Sequence, residues 1–344
     1  MISLGSASNS LIIAPQWIGD AVMTEPLLRR LAKRGERLTV GALPWVAPVY
    51  RLMPQVSEVI EFPFAHGSLQ FKARRSLARQ LEGRFDNAYI LPNSLKSALL
   101  PFLASIPKRV GYLGEARVGL LTHRLKNPPK EQRPSMVAFY SALSGEADLG
   151  DDQPQLHLEE AGINTVLQQF GLQADGYLVF APGSEYGPAK RWPASHFAEL
   201  ALGLDRPVAL LGSNKESVLG DEIAAAVNAK HAGQCVNLAG RTTLSQAFAL
   251  IAGANCLVSN DSGLMHVAAA LGSRQIAIFG SSSPLHTPPL NAAATVLWLK
   301  TDSDYRPALD CAPCFERCCP LGHTRCLRDI TAARVLTEIG YLTR

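Results

Sequence analysis

The hydrophobic period of this chain switches repeatedly between that of a strand and that of a helix. Leu11–Ala14 is followed by an amphipathic stretch at Val22–Leu31, Leu38–Leu43 by Val46–Met53, Val59–Phe62 by Leu69–Leu81, and Ala88–Leu91 by Leu95–Leu103. Strand alternating with helix requires crossover connections and a parallel sheet. The run Leu11-Ile12-Ile13-Ala14 is apolar on both faces, as a strand covered by helices on each side must be. Between residues 126 and 160 the pattern fails, through Asn127-Pro128-Pro129 and the polar stretch Gly145–Gln155, with one short helix expected near Ser135–Leu143. It then restarts with expected strands at Tyr177–Ala181, Val208–Leu211, Cys235–Leu238, Cys256–Ser259 and Gln275–Phe279, separated by helical stretches. This predicts an α/β chain of two doubly wound, Rossmann-like domains, residues 1–160 and 161–344, facing each other across a cleft.

Composition narrows the function classes. With 47% apolar and 18% charged residues the chain is not a disordered one. No apolar run reaches the length of a membrane span, and Met1–Ser10 lacks the basic and apolar regions of a secretion signal, so a cytoplasmic location is expected. The net charge of +4 is small, but residues 71–130 hold twelve Lys or Arg against Glu82, Asp86 and Glu115. That local excess predicts a face for anions. Basic residues are not interleaved with aromatic ones, which argues against nucleic acid.

Four segments carry candidate chemistry. In Ala14-Pro15-Gln16-Trp17-Ile18-Gly19-Asp20, where the first strand feeds its helix, Asp20 is either a helix cap or a general base for a hydroxyl, and the two roles are compatible. The loop Pro182-Gly183-Ser184-Glu185-Tyr186-Gly187-Pro188-Ala189-Lys190-Arg191-Trp192-Pro193 lets the backbone approach a diphosphate, with Ser184 as a donor and Lys190 as a point charge. It is neither a P-loop nor a G-x-G-x-x-G, which disfavours a dehydrogenase. At Asn260-Asp261-Ser262-Gly263-Leu264-Met265-His266 a strand passes into a helix of small residues, and the free N–H groups at its start suit an anion within reach of His266. The fourth segment, Leu91-Pro92-Asn93-Ser94-Leu95-Lys96-Ser97-Ala98 with Glu115 and Arg117 downstream, lies in the basic stretch.

In this order and spacing, the four segments resemble those of glycosyltransferase family nine, the bacterial ADP-heptose:lipopolysaccharide heptosyltransferases, from about residue 10 to 340. Trp17 favours the type II branch. The resemblance implies a GT-B fold whose N-terminal domain takes the acceptor and whose C-terminal domain takes ADP-heptose, with the last helix crossing back to the first domain. It implies inverting transfer of heptose, with no cofactor, to the first heptose of the inner core. The partners are ADP-heptose and a heptosylated Kdo-lipid A acceptor, with peripheral contact to the inner membrane and no nucleic acid. It assigns Asp20 as the base and Lys190 and Ser184 to the diphosphate. Glu216 is assigned to the ribose hydroxyls, Asp261, Ser262, Gly263 and His266 to the donor heptose and phosphates, and Lys96, Glu115 and Arg117 to the acceptor. Two rival readings are a family-nine transferase acting at another core position and a non-catalytic ADP-binding scaffold.

Five of the seven cysteines crowd into residues 311–326. Cys311, Cys314, Cys318 and Cys326, with His323 among them, have spacing compatible with a structural zinc; reduced thiols and disulfides are the alternatives. In each case the segment is expected to act as a local staple whose loss lowers stability and leaves the chemistry nearly intact.

Overall fold

The computed structural model describes residues 8–65, 68–129, 132–146 and 152–342. The chain divides into two compact units, Met1–His157 and Leu158–Arg344.

The first unit holds a six-stranded parallel sheet: β1 (Asn9–Ile13), β2 (Arg37–Ala42), β3 (Val56–Glu61), β4 (Asn87–Ile90), β5 (Lys108–Tyr112) and β6 (His123–Leu125), in the order β3-β2-β1-β4-β5-β6. β1 is central, and Leu11, Ile12 and Ile13 are all buried, as expected of a strand sandwiched between helices. The sheet order reverses between β1 and β4, which hydrogen-bond in register from Ser10 with Asn87 to Ile13 with Ile90. In an open parallel sheet the crevice for ligands lies outside the C-terminal ends of the strands at such a reversal. The loops at that point carry Pro15–Trp17 and Pro92–Ser94. On β2, Gly41 leaves room for the ring of Phe62, whose nearest atom would lie 1.9 Å from a Cβ placed there.

The second unit repeats the plan. Its strands are β7 (Leu178–Ala181), β8 (Val208–Leu210), β9 (Cys235–Asn237), β10 (Cys256–Asn260), β11 (Gln275–Ile278) and β12 (Ala294–Leu297), in the order β12-β11-β10-β7-β8-β9, all parallel. Here the reversal falls between β7 and β10. It brings together the loop after β7, which holds Ser184 and Lys190, and the start of the helix Gly263–Ala270 after β10. The core is built around Phe180, Trp192 and Phe197, with Trp192 meeting Phe197 edge to face at 4.8 Å. The last helix, Ala332–Leu342, expected to cross back to the first half, packs on the helix Ala194–Leu202, where Val335 and Ile339 join this core.

Candidate active site

In the first unit, the turn after β1 leads into the short helix Ile18–Met23, whose N-cap is Trp17. Asp20 lies in the first turn of the helix and is not its cap. A carboxylate there gains from the helix dipole. It is also held from across the fold: the Tyr140 hydroxyl donates a 2.9 Å hydrogen bond to Asp20 Oδ1.

The acceptor-side candidates separate. Lys96, half-buried in the first turn of the helix Leu95–Leu103, lines an opening with Gln16, Phe64, Ser94 and Arg74. Arg74 is buried, its guanidinium carbon 4.0 Å above the Phe64 ring and its Nε donating to the Leu69 carbonyl. Glu115 accepts from the Leu95 N–H at 2.9 Å and so anchors the start of the helix that carries Lys96. Arg117 requires a correction. It is fully buried, and its guanidinium donates to the carbonyls of Pro92 and Tyr112 and to Asn93 Oδ1. It braces the loop after β4 from beneath and does not present a charge to an acceptor.

In the second unit, Lys190 Nζ lies 2.5 Å from Asp261 Oδ2. Thr287 donates to the other Asp261 oxygen at 3.5 Å. Ser262 is the N-cap residue of Gly263–Ala270, and its buried hydroxyl has no protein partner among the described residues. His266, one turn in, is buried; desolvation lowers its pKa to about 4, with Lys190 acting in the same direction and Asp261 opposing, so the imidazole is neutral at ordinary pH. Ser184 is buried in the loop after β7. Glu216 accepts from the Ser213 N–H at 2.7 Å and lies against Gly183: a Cβ on that glycine would come within 1.6 Å of Glu216 Oε1. Only glycine lets that carboxylate reach the end of β7.

Sequence reasoning misses two residues that have positions in this site. Buried Asn260 accepts from the Trp192 N–H at 2.9 Å and donates to the Pro182 carbonyl at 2.7 Å, tying both arms of the Lys190 loop to the end of β10. Its place just before Asp261 is the only signal in the sequence. Thr287 comes from the loop after β11 and had none.

The cysteine segment is placed against the same loop. The Ala189 N–H donates to the Arg317 carbonyl at 3.1 Å, Arg317 Nε donates to the Tyr186 carbonyl at 2.8 Å, and the Tyr186 hydroxyl donates to the Phe315 carbonyl at 2.5 Å. Cys311, Cys314, Cys319 and Cys326 line one small cavity with His323. Cys318 is exposed and is not part of that lining. Burial pushes the Cys326 thiol up to about 11, helped by the neighbouring Cys311, Cys314 and Cys319. Burial also pushes the Cys319 thiol up, but N–H groups of Thr324, Leu321, Gly322 and His323 directed at its sulfur outweigh this and leave it below the usual range. The expected zinc set of Cys311, Cys314, Cys318 and Cys326 does not fit: among the described residues no group of three or more His, Cys, Asp or Glu is arranged to hold a metal ion.

A pair of six-stranded parallel sheets, each with its candidate residues at the switch point, is the architecture of a GT-B glycosyltransferase. The profile of glycosyltransferase family 9 (heptosyltransferase) matches residues 74–324. Lipopolysaccharide heptosyltransferase 2 of Escherichia coli K12 is 42% identical over 348 residues, covering 96% of this chain and 97% of its own length. Lipooligosaccharide heptosyltransferase 2 of Haemophilus influenzae Rd is 41% identical over 85% of this chain and 88% of its own length. The solved structure of E. coli ADP-heptose lps heptosyltransferase II superimposes with a TM-score of 0.83 at 40% identity, covering 97% of this chain and 98% of that one. The chain belongs to glycosyltransferase family 9.

Proposed function

We propose that the protein transfers L-glycero-D-manno-heptose from ADP-heptose to the first heptose of the lipopolysaccharide inner core, with inversion. The first unit takes the acceptor, a heptosylated Kdo-lipid A, and the second unit takes the donor. The observation that carries this reading is the placement of Lys190 beside Asp261 at the start of the helix Gly263–Ala270, in a family whose relatives are heptosyltransferases. A cation beside a helix start, whose first N–H groups have no partner within the helix, suits a diphosphate, and the Ser262 hydroxyl and Glu216 carboxylate suit sugar or ribose hydroxyls.

In the reaction, Asp20 takes the proton of the acceptor hydroxyl as its oxygen bonds to the anomeric carbon. The bond from that carbon to the phosphate oxygen breaks, and ADP departs with the electron pair. Lys190 and the helix start meet the charge that gathers on the leaving phosphate, an electrostatic contribution that needs no reorganisation at the moment of reaction. Displacement at this carbon passes no electrons to an outside carrier, so the step calls for no redox cofactor.

The acceptor carries phosphate and carboxylate groups, which accounts for Lys96 at the opening on the first unit and for exposed Lys72, Arg75 and Arg79 on the helix Phe71–Leu81. The same basic face suits peripheral contact with an anionic leaflet from the cytoplasmic side. Among the described residues no helix is long and apolar enough to cross a membrane. Incubation with ADP-heptose and acceptors bearing or lacking the first heptose tests the assignment. Transfer to the heptosylated acceptor alone is expected, and transfer only to the unheptosylated one would overturn the core position. Cosedimentation with anionic but not neutral vesicles is expected of the membrane contact.

A further inference from the structure

Asp20 is bonded by one buried phenol, Tyr140, and a second, Tyr50, is engaged nearby with Thr24. Thr24 Oγ1 donates to the Ala21 carbonyl at 2.7 Å, so at 3.2 Å it accepts from the Tyr50 hydroxyl, and Tyr140 donates to Asp20 Oδ1 at 2.9 Å. Tyr140 comes from the helix Met136–Ser141, which Ser135 caps by accepting the Ala138 N–H. The neighbouring Phe139 ring stacks on Tyr112 at 3.9 Å, and the Tyr112 hydroxyl donates to the Phe139 carbonyl, so the turn bearing Tyr140 is fixed on both sides.

We infer that Tyr140 is a positioning residue for the base of the transfer reaction: its buried phenol holds the Asp20 carboxylate in one orientation and moderates its basicity. This rests on Asp20 being the base. Of the helices packed against Ile18–Met23, Met136–Ser141 contributes Tyr140 and Ala47–Tyr50 contributes Tyr50, while Glu25 of the following helix is engaged with Arg29, Gln55 and the Gln155 N–H. Burial first, and then the Asp20 charge, push the Tyr140 phenol well up, and burial raises Tyr50 as well. Neither phenol ionises at working pH, so neither can take the proton onward. The bond stabilises the charged carboxylate, keeps one oxygen occupied and leaves Asp20 as the proton's resting place until solvent removes it.

The test is the pH profile of kcat. Tyr140→Phe removes only the hydroxyl. It should move the acid limb up by about one pH unit, equivalent to an about tenfold change in proton affinity, lower kcat severalfold and leave the donor KM unchanged. A fluorinated tyrosine introduced at position 140 alone donates more strongly and should move the same limb down; it also decides the matter if Tyr140→Phe does not fold. An unmoved limb in the folded variants overturns the role of Tyr140. Asp20→Asn, run alongside, separates the two claims: if it is inactive while the limb stays fixed, only the Tyr140 inference fails, whereas full activity in Asp20→Asn removes the base and this inference with it.

Discussion

Lys190 and Asp261 are far apart in sequence yet form a 2.5 Å ion pair, because the switch between β7 and β10 puts the two loops side by side. The Asp261 side chain is almost fully buried, so the pair forms one unit, which the proposed function places at the diphosphate. Lys190→Met should raise the donor KM and lower kcat. It leaves a buried charge uncompensated, at a cost of about 3 kcal/mol in stability. Lys190→Met with Asp261→Asn should recover most of the melting temperature without recovering transfer. Thermal unfolding and steady-state kinetics on the three proteins check this.

His266 makes stability depend on pH. Its folded pKa, about 4, lies below the unfolded value near 6.5, so the unfolded chain binds more protons in that window. Its contribution is fully present above pH 6.5 and is lost as pH falls toward 4, at up to about 1.4 kcal/mol per pH unit. His266→Gln should show a shallower fall in melting temperature between pH 7 and 5 than the native chain. Parallel slopes would place His266 in a wetter environment.

Arg117 should behave as a brace. Arg117→Met strands the carbonyls of Pro92 and Tyr112 and should cost about 3 kcal/mol, read as a lower melting temperature. A raised acceptor KM with unchanged melting would restore the direct contact.

The cysteine segment braces the loop that carries Lys190, so its loss should not be neutral for chemistry. Replacing all five thiols with Ser should lower the melting temperature and also raise the donor KM, because loosening the segment shifts Phe315 and Arg317, which hold Tyr186 and Ala189. A lower melting temperature with the same KM would return the segment to the role of a remote staple.

The sequence marked the central strands to within a residue or two because Leu11–Ile13 and Leu257–Val258 are aliphatic on both faces and buried on both. β5, β6 and β12 were harder to read. β5 opens on Lys108-Arg109, β6 is His123-Arg124-Leu125, and β12 is an edge strand, so none shows the uniform apolar run. The helix Glu160–Gln169 lies between the irregular stretch, which ends at residue 160, and the restart at Tyr177, a span where no element is expected; only its Leu167 is buried, too little to give an apolar face. The loops after β1, β7 and β10 were legible because small residues beside charged ones at a strand-to-helix junction have few structural explanations. Residue type alone does not say whether a guanidinium faces solvent or a set of carbonyls, which is why Arg117 was misplaced. Spacing cannot choose between adjacent Cys318 and Cys319; the backbone turn at Leu321–Thr324, which directs N–H groups at one sulfur, does. Tyr140 meets Asp20 across 120 residues, and no local pattern announces such a pair.

The proposed transfer turns on Asp20 as the group that receives the acceptor's proton. Its most direct test is single-turnover transfer by Asp20→Asn with donor affinity measured on the same protein. The expected result is a fall in transfer rate of about a hundredfold or more with ADP-heptose binding unchanged. Transfer at the native rate by a variant that still binds donor would contradict it.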